Sequence, residues 1–324
     1  MNSSTSETGS RDAAEQHQLI DRFGRPVNYL RISVTQRCDH RCFFCHREGE
    51  RHPEEEMTAD EIERLVRVAV QQGIRRVKLT GGEALLREDI VDIVSRISPV
   101  LDDLSLTTNG SRLAALAGDL SEAGLDRINV SLHTLDRRTH VNITGTDDLE
   151  QVKRGIEAAV RAGLSPVKIN MTILRGYNDT EIPQMMRYAM SVGAILQLIE
   201  LQPMPDDPAW MTDLWYGLSD LEQAIQQRAL RVTRRSLHNR MQYEVPLDGG
   251  TVRVEFVRPL HNSEFCSACT RLRVTSDGRL KPCLLRSDNL VNVRACLASH
   301  IDWEVDVIRA LEEAVARREP FYQT

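Results

Sequence analysis

No apolar run in these 324 residues approaches the roughly eighteen needed to span a bilayer. The opening stretch Met1-Asn2-Ser3-Ser4-Thr5-Ser6-Glu7 has neither the basic nor the apolar region of a secretory signal, so the expected location is the cytoplasm, with no membrane partner. Aromatic residues are scarce at 5%, which leaves Leu, Ile, Val and Ala to build the core. There is no cationic excess either. The 41 Lys and Arg face 47 Asp and Glu, and a net charge of −6 gives no ground for a nucleic-acid partner, although a local basic patch can still hold an anion. Cysteine is sparse too: of seven, six fall into two compact groups with Cys296 apart. That grouping fits metal ligation in a reducing compartment better than a disulfide framework, and Cys296 reads as an ordinary thiol.

Residues 1–18 are polar and aperiodic and read as a disordered leader. From there, short branched-apolar runs alternate with longer helical patterns. The runs are Leu30 to Val34, Arg76 to Thr80, Leu104 to Thr107, Arg127 to Ser131, Val167 to Ile173 and Ile195 to Glu200. The first helix has Thr58 as N-cap, Glu61 three residues on, and Gly73 at its end. Repeated βα units predict a parallel sheet, and six of them predict an α/β fold: a partial (β/α)6 TIM-like barrel over 19–203. A C-terminal α+β extension over 204–324 follows. It contains a helix near Leu218 to Leu230, a basic run from Arg231 to Arg240, strands at Met241 to Val245 and Thr251 to Val257, and a closing helix from Ile301 to Arg318.

Cys38-Asp39-His40-Arg41-Cys42-Phe43-Phe44-Cys45 follows the first strand and puts three thiolates in one loop. A four-iron cluster takes one protein ligand per iron, so three cysteines leave one iron open to a small molecule. A structural zinc knuckle would need a fourth ligand that the spacing does not supply. Gly81-Gly82-Glu83 ends the second strand, where absent side chains permit close backbone approach. The second group, Cys266, Cys269 and Cys283, again offers three thiolates, and a zinc site there would have to recruit His261 or Cys296. Arg271 and Arg273 stand between its ligands and share one side if the segment is extended, which suits a polyanionic ligand. Taken alone they would read as a solvated strand face. Asp277-Gly278 reads as the turn leading to Cys283.

The first loop resembles the radical S-adenosylmethionine superfamily. That likeness implies a [4Fe–4S] cluster whose open iron is chelated by S-adenosylmethionine, and cleavage of that cofactor to a 5′-deoxyadenosyl radical. With Leu30-Arg31-Ile32-Ser33-Val34-Thr35, Lys78-Leu79-Thr80-Gly81-Gly82-Glu83, Leu106-Thr107-Thr108-Asn109-Gly110, Ile128-Asn129-Val130-Ser131-Leu132 and Phe265 to Leu284, it narrows to the GTP 3′,8-cyclase (MoaA) family of molybdenum-cofactor biosynthesis. The resemblance implies a lyase that converts GTP to 3′,8-cyclo-7,8-dihydroguanosine triphosphate, with two [4Fe–4S] clusters, an electron donor and a downstream cyclic pyranopterin monophosphate synthase; it is also compatible with a homodimer, although the open barrel edge could equally be covered by the chain's own C-terminal part. It implies Cys38, Cys42, Cys45, Cys266, Cys269 and Cys283 as metal ligands, and Cys38, Cys42, Cys45, Arg271 and Arg273 as the catalytic set. Phe44, Gly81, Gly82, Glu83, Thr108, Asn109, Ser131 and Gln202 fall at cofactor positions. Arg31, Lys78, Thr107, Lys168, Arg271, Leu272 and Arg273 fall at substrate positions.

Several residues depart from the family pattern. Phe44 replaces a frequent Tyr, His46-Arg47-Glu48-Gly49 replaces Met-Pro after the third cysteine, and Lys78 replaces Arg. Gln197 stands for a substrate-side Arg, Gln202 for a Met, and Phe321-Tyr322-Gln323-Thr324 for a Gly-Gly tail. The alternatives are a radical paralogue acting on another nucleotide or a peptide and, in a different class, a noncatalytic iron–sulfur or zinc regulator that binds nucleotide.

Overall fold

The computed structural model describes residues 18–50, 55–203, 208–234, 240–259, 262–299 and 301–321. The leader up to residue 17, His261, residues 205–207 and 235–239, and the last three residues of the tail lie outside this set.

The six branched-apolar runs form parallel strands: β1 Tyr29–Ser33, β2 Arg76–Thr80, β3 Asp103–Thr108, β4 Arg127–Ser131, β5 Val167–Ile173 and β6 Ile195–Glu200. They lie side by side in chain order, each joined to the next through helix. The first of these helices, Ala59–Gln71, starts where the sequence places it. Thr58 accepts from the Glu61 N–H, the Glu61 carboxylate accepts from the Thr58 N–H, and Gly73 beyond the end takes a φ of 81°.

The C-terminal residues complete the same sheet. Strands β7 Arg231–Arg234, β8 Met241–Leu247 and β9 Gly250–Val257 form one antiparallel set, and β10 Arg271–Val274, β11 Arg279–Lys281 and β12 Val291–Asn292 form another. Strand β9 runs parallel to β6, and β10 runs parallel to β1. Both open edges of the six-unit sheet are therefore paired by this chain's own backbone, giving the order β12-β11-β10-β1-β2-β3-β4-β5-β6-β9-β8-β7. The start of the basic run, read from the sequence only as a charged stretch, is strand β7. It is exposed along its whole length, and an edge strand tolerates the charges that mask its pattern.

Alternation sorts the parallel strands into two faces. Leu30, Ile32, Val77, Leu79, Leu104, Leu106, Ile128, Val130, Ile169, Leu196 and Leu198 are wholly or almost wholly buried in the apolar core. The other face carries Arg31, Lys78, Thr107, Asn129, Lys168, Asn170 and Gln197, where a closed barrel would stack branched apolar side chains. The inside is thus a polar chamber rather than a second core. Leu272, expected on the substrate side with its neighbours, is instead fully buried in the apolar core and does not line the chamber, because strand alternation separates it from Arg271 and Arg273. The closing helix, Trp303–Ala316, buries Val307, Leu311 and Val315. No helix among the described residues is long and apolar enough to cross a membrane.

Leu272→Ala should lower the unfolding free energy by about 2–5 kcal/mol, read from urea denaturation, since it opens a cavity in a fully packed site. A loss below about 1 kcal/mol would mean that this strand is not anchored through the core.

Candidate active site

The first cysteine loop leaves β1 and is fastened on two sides. On one side the end of β2 lies against it: Gly82 N–H donates to Thr35 O and Glu83 N–H to Arg37 O, both at 2.7 Å. A Cβ on Gly81 would lie 2.4 Å from Thr35 O, and one on Gly82 2.4 Å from Arg37 O, so both positions require glycine. The wholly buried Glu83 carboxylate accepts from Thr108 Oγ1 at 2.7 Å, Asn109 N–H at 2.6 Å and Leu85 N–H at 2.9 Å. Burial pushes that carboxyl up to about 7, against the pull of these donors. Asn109 in turn donates to Asp39 Oδ1 at 2.6 Å and lies 4.0 Å from Cys38 Sγ.

On the other side, the Asp148 carboxylate bridges His40 Nε2 and His140 Nε2, each at 2.8 Å, and Arg41 N–H donates to Thr144 O at 2.7 Å. All three members of the His–Asp–His set are buried. Phe44 stands edge-on to His133 with ring centroids 5.0 Å apart, and Phe43 packs on Tyr177 at 5.2 Å. Ser131 ends β4 in register with Asn170, and Gln202 lines the chamber beyond β6.

The second cysteine group is held by charges buried beneath it. Asn262 caps the short helix Ser263–Ser267, accepting from Phe265 N–H at 2.9 Å. Arg25 donates to Cys266 O at 2.9 Å, and Arg318, 1% exposed, donates to Cys269 O. Asp21 sits between these guanidiniums, 2.8 Å from Arg25 Nε and 3.0 Å from Arg318. Burial would raise the Cys269 thiol, but the charge and backbone N–H of Arg271, with the charges of Arg318 and Arg273, outweigh it and draw the thiol below its usual range.

Both groups fit iron–sulfur ligation. All seven cysteines are free thiols. Burial pushes the Cys38 thiol up to about 11 and the Cys42 thiol up to about 12, and ligation of a metal takes both as thiolates. A zinc–sulfur bond near 2.3 Å would bring tetrahedral thiolates to roughly 3.8 Å of one another. Among the described residues the one set of three or more Cys, His, Asp or Glu ligand atoms within 4.8 Å of one another is His40, His140 and Asp148, so neither cysteine group has all three sulfur atoms within that distance.

Between the two groups lies a chamber of about 340 Å³. Cys45 reaches it from one side and Cys266, Cys269 and Cys283 from the other. Nine Lys or Arg side chains line it against two Glu, counting described residues. Strand register creates the layer: Arg31 is level with Lys78 on β2 and Arg273 on β10, and Asn129 is level with Thr107 and Lys168. Lys78 Nζ donates to Asn129 Oδ1 at 2.7 Å and to Thr107 Oγ1 at 3.4 Å. Burial, then the charges of Arg127, Arg31, Lys168 and Arg271, hold its ammonium well below the usual lysine range.

Acids that do not themselves line the chamber support this wall: Glu48 on Arg31 and Arg273, Asp103 on Arg127, and Glu255 on Lys168 at 2.5 Å and Gln197 at 2.8 Å. Sequence reasoning missed Arg127, Asn129, Glu255, Glu48, Asp21, Arg25 and Arg318. Polar residues alternating along β4 were the available signal for Arg127 and Asn129, while the rest come from distant segments.

Residues 32–189 match the Radical SAM superfamily and residues 194–324 match Molybdenum Cofactor Synthesis C. A protein of Thermococcus kodakarensis named "Probable GTP 3',8-cyclase" is 50% identical over 94% of this chain and 100% of its own length. One of the same name from Methanothermobacter marburgensis is 46% identical over 95% of this chain and 100% of its own. The chain belongs to the GTP 3′,8-cyclase family. Among solved structures, Streptococcus suis SuiB bound to S-adenosylmethionine shares its fold at a TM-score of 0.62 and 18% identity, covering 86% of this chain and 65% of that one. Native anSMEcpe with bound AdoMet does so at 0.57 and 16%, covering 88% and 82%. As a radical SAM family member the protein takes a [4Fe–4S] cluster and S-adenosylmethionine.

Gly82→Ala should disturb the chain entering Cys38, lowering stability by about 1–3 kcal/mol and reducing the iron retained after anaerobic reconstitution. The control is Gly118→Ala, where nothing lies within 4 Å of an added Cβ and a helical position gains about 0.5–1 kcal/mol. Normal iron content in the Gly82 variant would show that the loop does not depend on this close approach.

Proposed function

We propose that this enzyme is the radical GTP 3′,8-cyclase of a cytoplasmic molybdenum-cofactor pathway, converting GTP to 3′,8-cyclo-7,8-dihydroguanosine triphosphate. One observation carries the reading: a chamber with a large excess of cations, reached by both cysteine groups, in a chain half identical to a relative of that name. A triphosphate matches this wall, since its closely spaced oxygens accept charge-assisted hydrogen bonds from several Lys and Arg at once.

In this reading Cys38, Cys42 and Cys45 hold the first cluster, and Cys266, Cys269 and Cys283 hold a second. Bound together, the first cluster and S-adenosylmethionine supply a 5′-deoxyadenosyl radical as hydrogen acceptor. Phe44, Gly81, Gly82, Glu83, Thr108, Asn109, Ser131 and Gln202 position that cofactor. Arg31, Lys78, Lys168, Arg271 and Arg273 bind the triphosphate, and Thr107 gives a hydroxyl to the nucleoside. Their fixed spacing orients the ribose 3′ hydrogen toward the cofactor side and keeps guanine C8 within reach of C3′. Burial of the layer excludes water from the radical steps. The barrel proper, 19–203, would carry the cofactor, and 204–324 the second cluster. An electron donor and a downstream pterin-forming synthase complete the setting.

Anaerobic incubation with S-adenosylmethionine, a strong reductant and GTP should yield 5′-deoxyadenosine together with a cyclised isomer of GTP, followed by mass spectrometry. Cofactor cleavage with GTP untouched rejects this substrate. Joint replacement of Arg271 and Arg273 by Ala should lower kcat/KM at least about 100-fold, since each charged hydrogen bond contributes about 1.5–3 kcal/mol. Replacing Cys266, Cys269 and Cys283 by Ser should take bound iron from about eight to about four atoms per chain. Unchanged iron with one zinc lost would sink the second cluster.

A further inference from the structure

Glu48 stands three residues after Cys45 and is assigned no part in the chemistry above. Arg47 and Glu48 take φ values of 48° and 55°, two consecutive non-glycine residues in the left-handed region, where each costs free energy that the surroundings must offset. The turn brings the Glu48 side chain against Arg31, Thr80 and Arg273, where the residue is 8% exposed. Its Oε2 accepts from Arg31 Nε at 3.0 Å and from Arg273 Nη1 at 2.8 Å. Its Oε1 accepts from Thr80 Oγ1 at 3.1 Å and from Arg31 Nη2. Arg31 and Arg273 line the chamber, and Glu48 does not.

We propose that Glu48 is a positioning residue for the nucleotide. It locks Arg31 and Arg273 into one fixed pair and ties the hairpin of the second cysteine group to the loop of the first. The proposal rests on the nucleotide reading above. Arg31 and Arg273 are opposite one another on adjacent strands, so without an anion between them their guanidiniums repel and spread. A carboxylate near a phosphate site would ordinarily weaken anion binding. Here both oxygens are spent on donors, so its charge is matched and what it contributes is geometry. The strained turn is the means of delivery: the left-handed backbone at Arg47 and Glu48 presents the carboxylate to Arg31 on β1 and Arg273 on β10.

The test is GTP titration, by calorimetry, of anaerobically reconstituted protein holding S-adenosylmethionine, with KM and kcat measured alongside. Glu48→Gln keeps the shape and loses the charge. It should weaken GTP binding and raise KM about tenfold, the size expected for losing one charged hydrogen bond. Iron content and GTP-independent cofactor cleavage should stay at wild-type levels. In an Arg273→Ala background the same change should have a smaller effect, about threefold, because Arg273 is one of the two guanidiniums through which Glu48 acts and only Arg31 remains to be held. GTP affinity unchanged or tighter in Glu48→Gln overturns the proposal, and so does an undiminished effect in the Arg273→Ala background. If Glu48→Gln fails to load iron, Thr80→Val, which removes one donor to the same carboxylate, decides: a KM rise of about threefold with full iron supports positioning, and no rise refutes it. A wild type that binds no GTP overturns the nucleotide reading itself, whereas wild-type binding matched by Glu48→Gln overturns the role of Glu48 alone.

Discussion

Repulsion among like charges is the constraint around which this molecule is arranged. A parallel barrel ordinarily fills its interior with branched apolar side chains, which need no partners. Here the same positions carry guanidiniums and ammoniums that are buried and close together, and burial with neighbouring charge weakens the hold of Lys78 on its proton. Such a layer persists only where opposite charge is buried beside it. Glu48, Asp103 and Glu255 supply it from three different elements, and Asp21 supplies it for Arg25 and Arg318 under the second cysteine group. The supports neutralise part of the charge and leave the remainder facing the chamber, where a polyanion can complete it.

The second organising feature is that the C-terminal part does not sit apart from the barrel. By adding β10 beside β1 and β9 beside β6, it covers both exposed edges and carries Cys266, Cys269 and Cys283 to the chamber opposite Cys45. The two cysteine groups are therefore fixed relative to one another through backbone pairing and buried ion pairs. In the proposed reaction, where a radical formed at one side would meet a substrate held at the other, that rigidity would be the protein's main contribution.

Much of this was legible in the residues. The six strands stand where the branched-apolar runs predicted them, since a strand buried on one face by helices needs that composition. The capping box at Thr58 and the turn at Asp277-Gly278 were readable for similarly local reasons. The edge strand Arg231–Arg234 was not, because a fully exposed strand carries no hydrophobic alternation. Leu272 was grouped with its neighbours by motif, and the alternation of β10 separates it from them.

By itself the sequence determined the cysteine spacing, the Gly-Gly at the end of β2 and the alternating pattern of the strands, because each of these depends on neighbours only a few residues away. Tertiary structure alone decided which cations share a layer and which acids support them. Arg31, Lys78 and Arg273 are level because β2 and β10 take a particular register on β1, and that register is set by hydrogen bonds between strands far apart in the chain. The pairing of Glu48 with Arg273 spans 225 positions and that of Arg318 with Asp21 spans nearly the whole chain, and no local pattern encodes such partners. They exist because burying a charge is costly unless an opposite charge is buried with it, and only the folded molecule determines which charges are brought together.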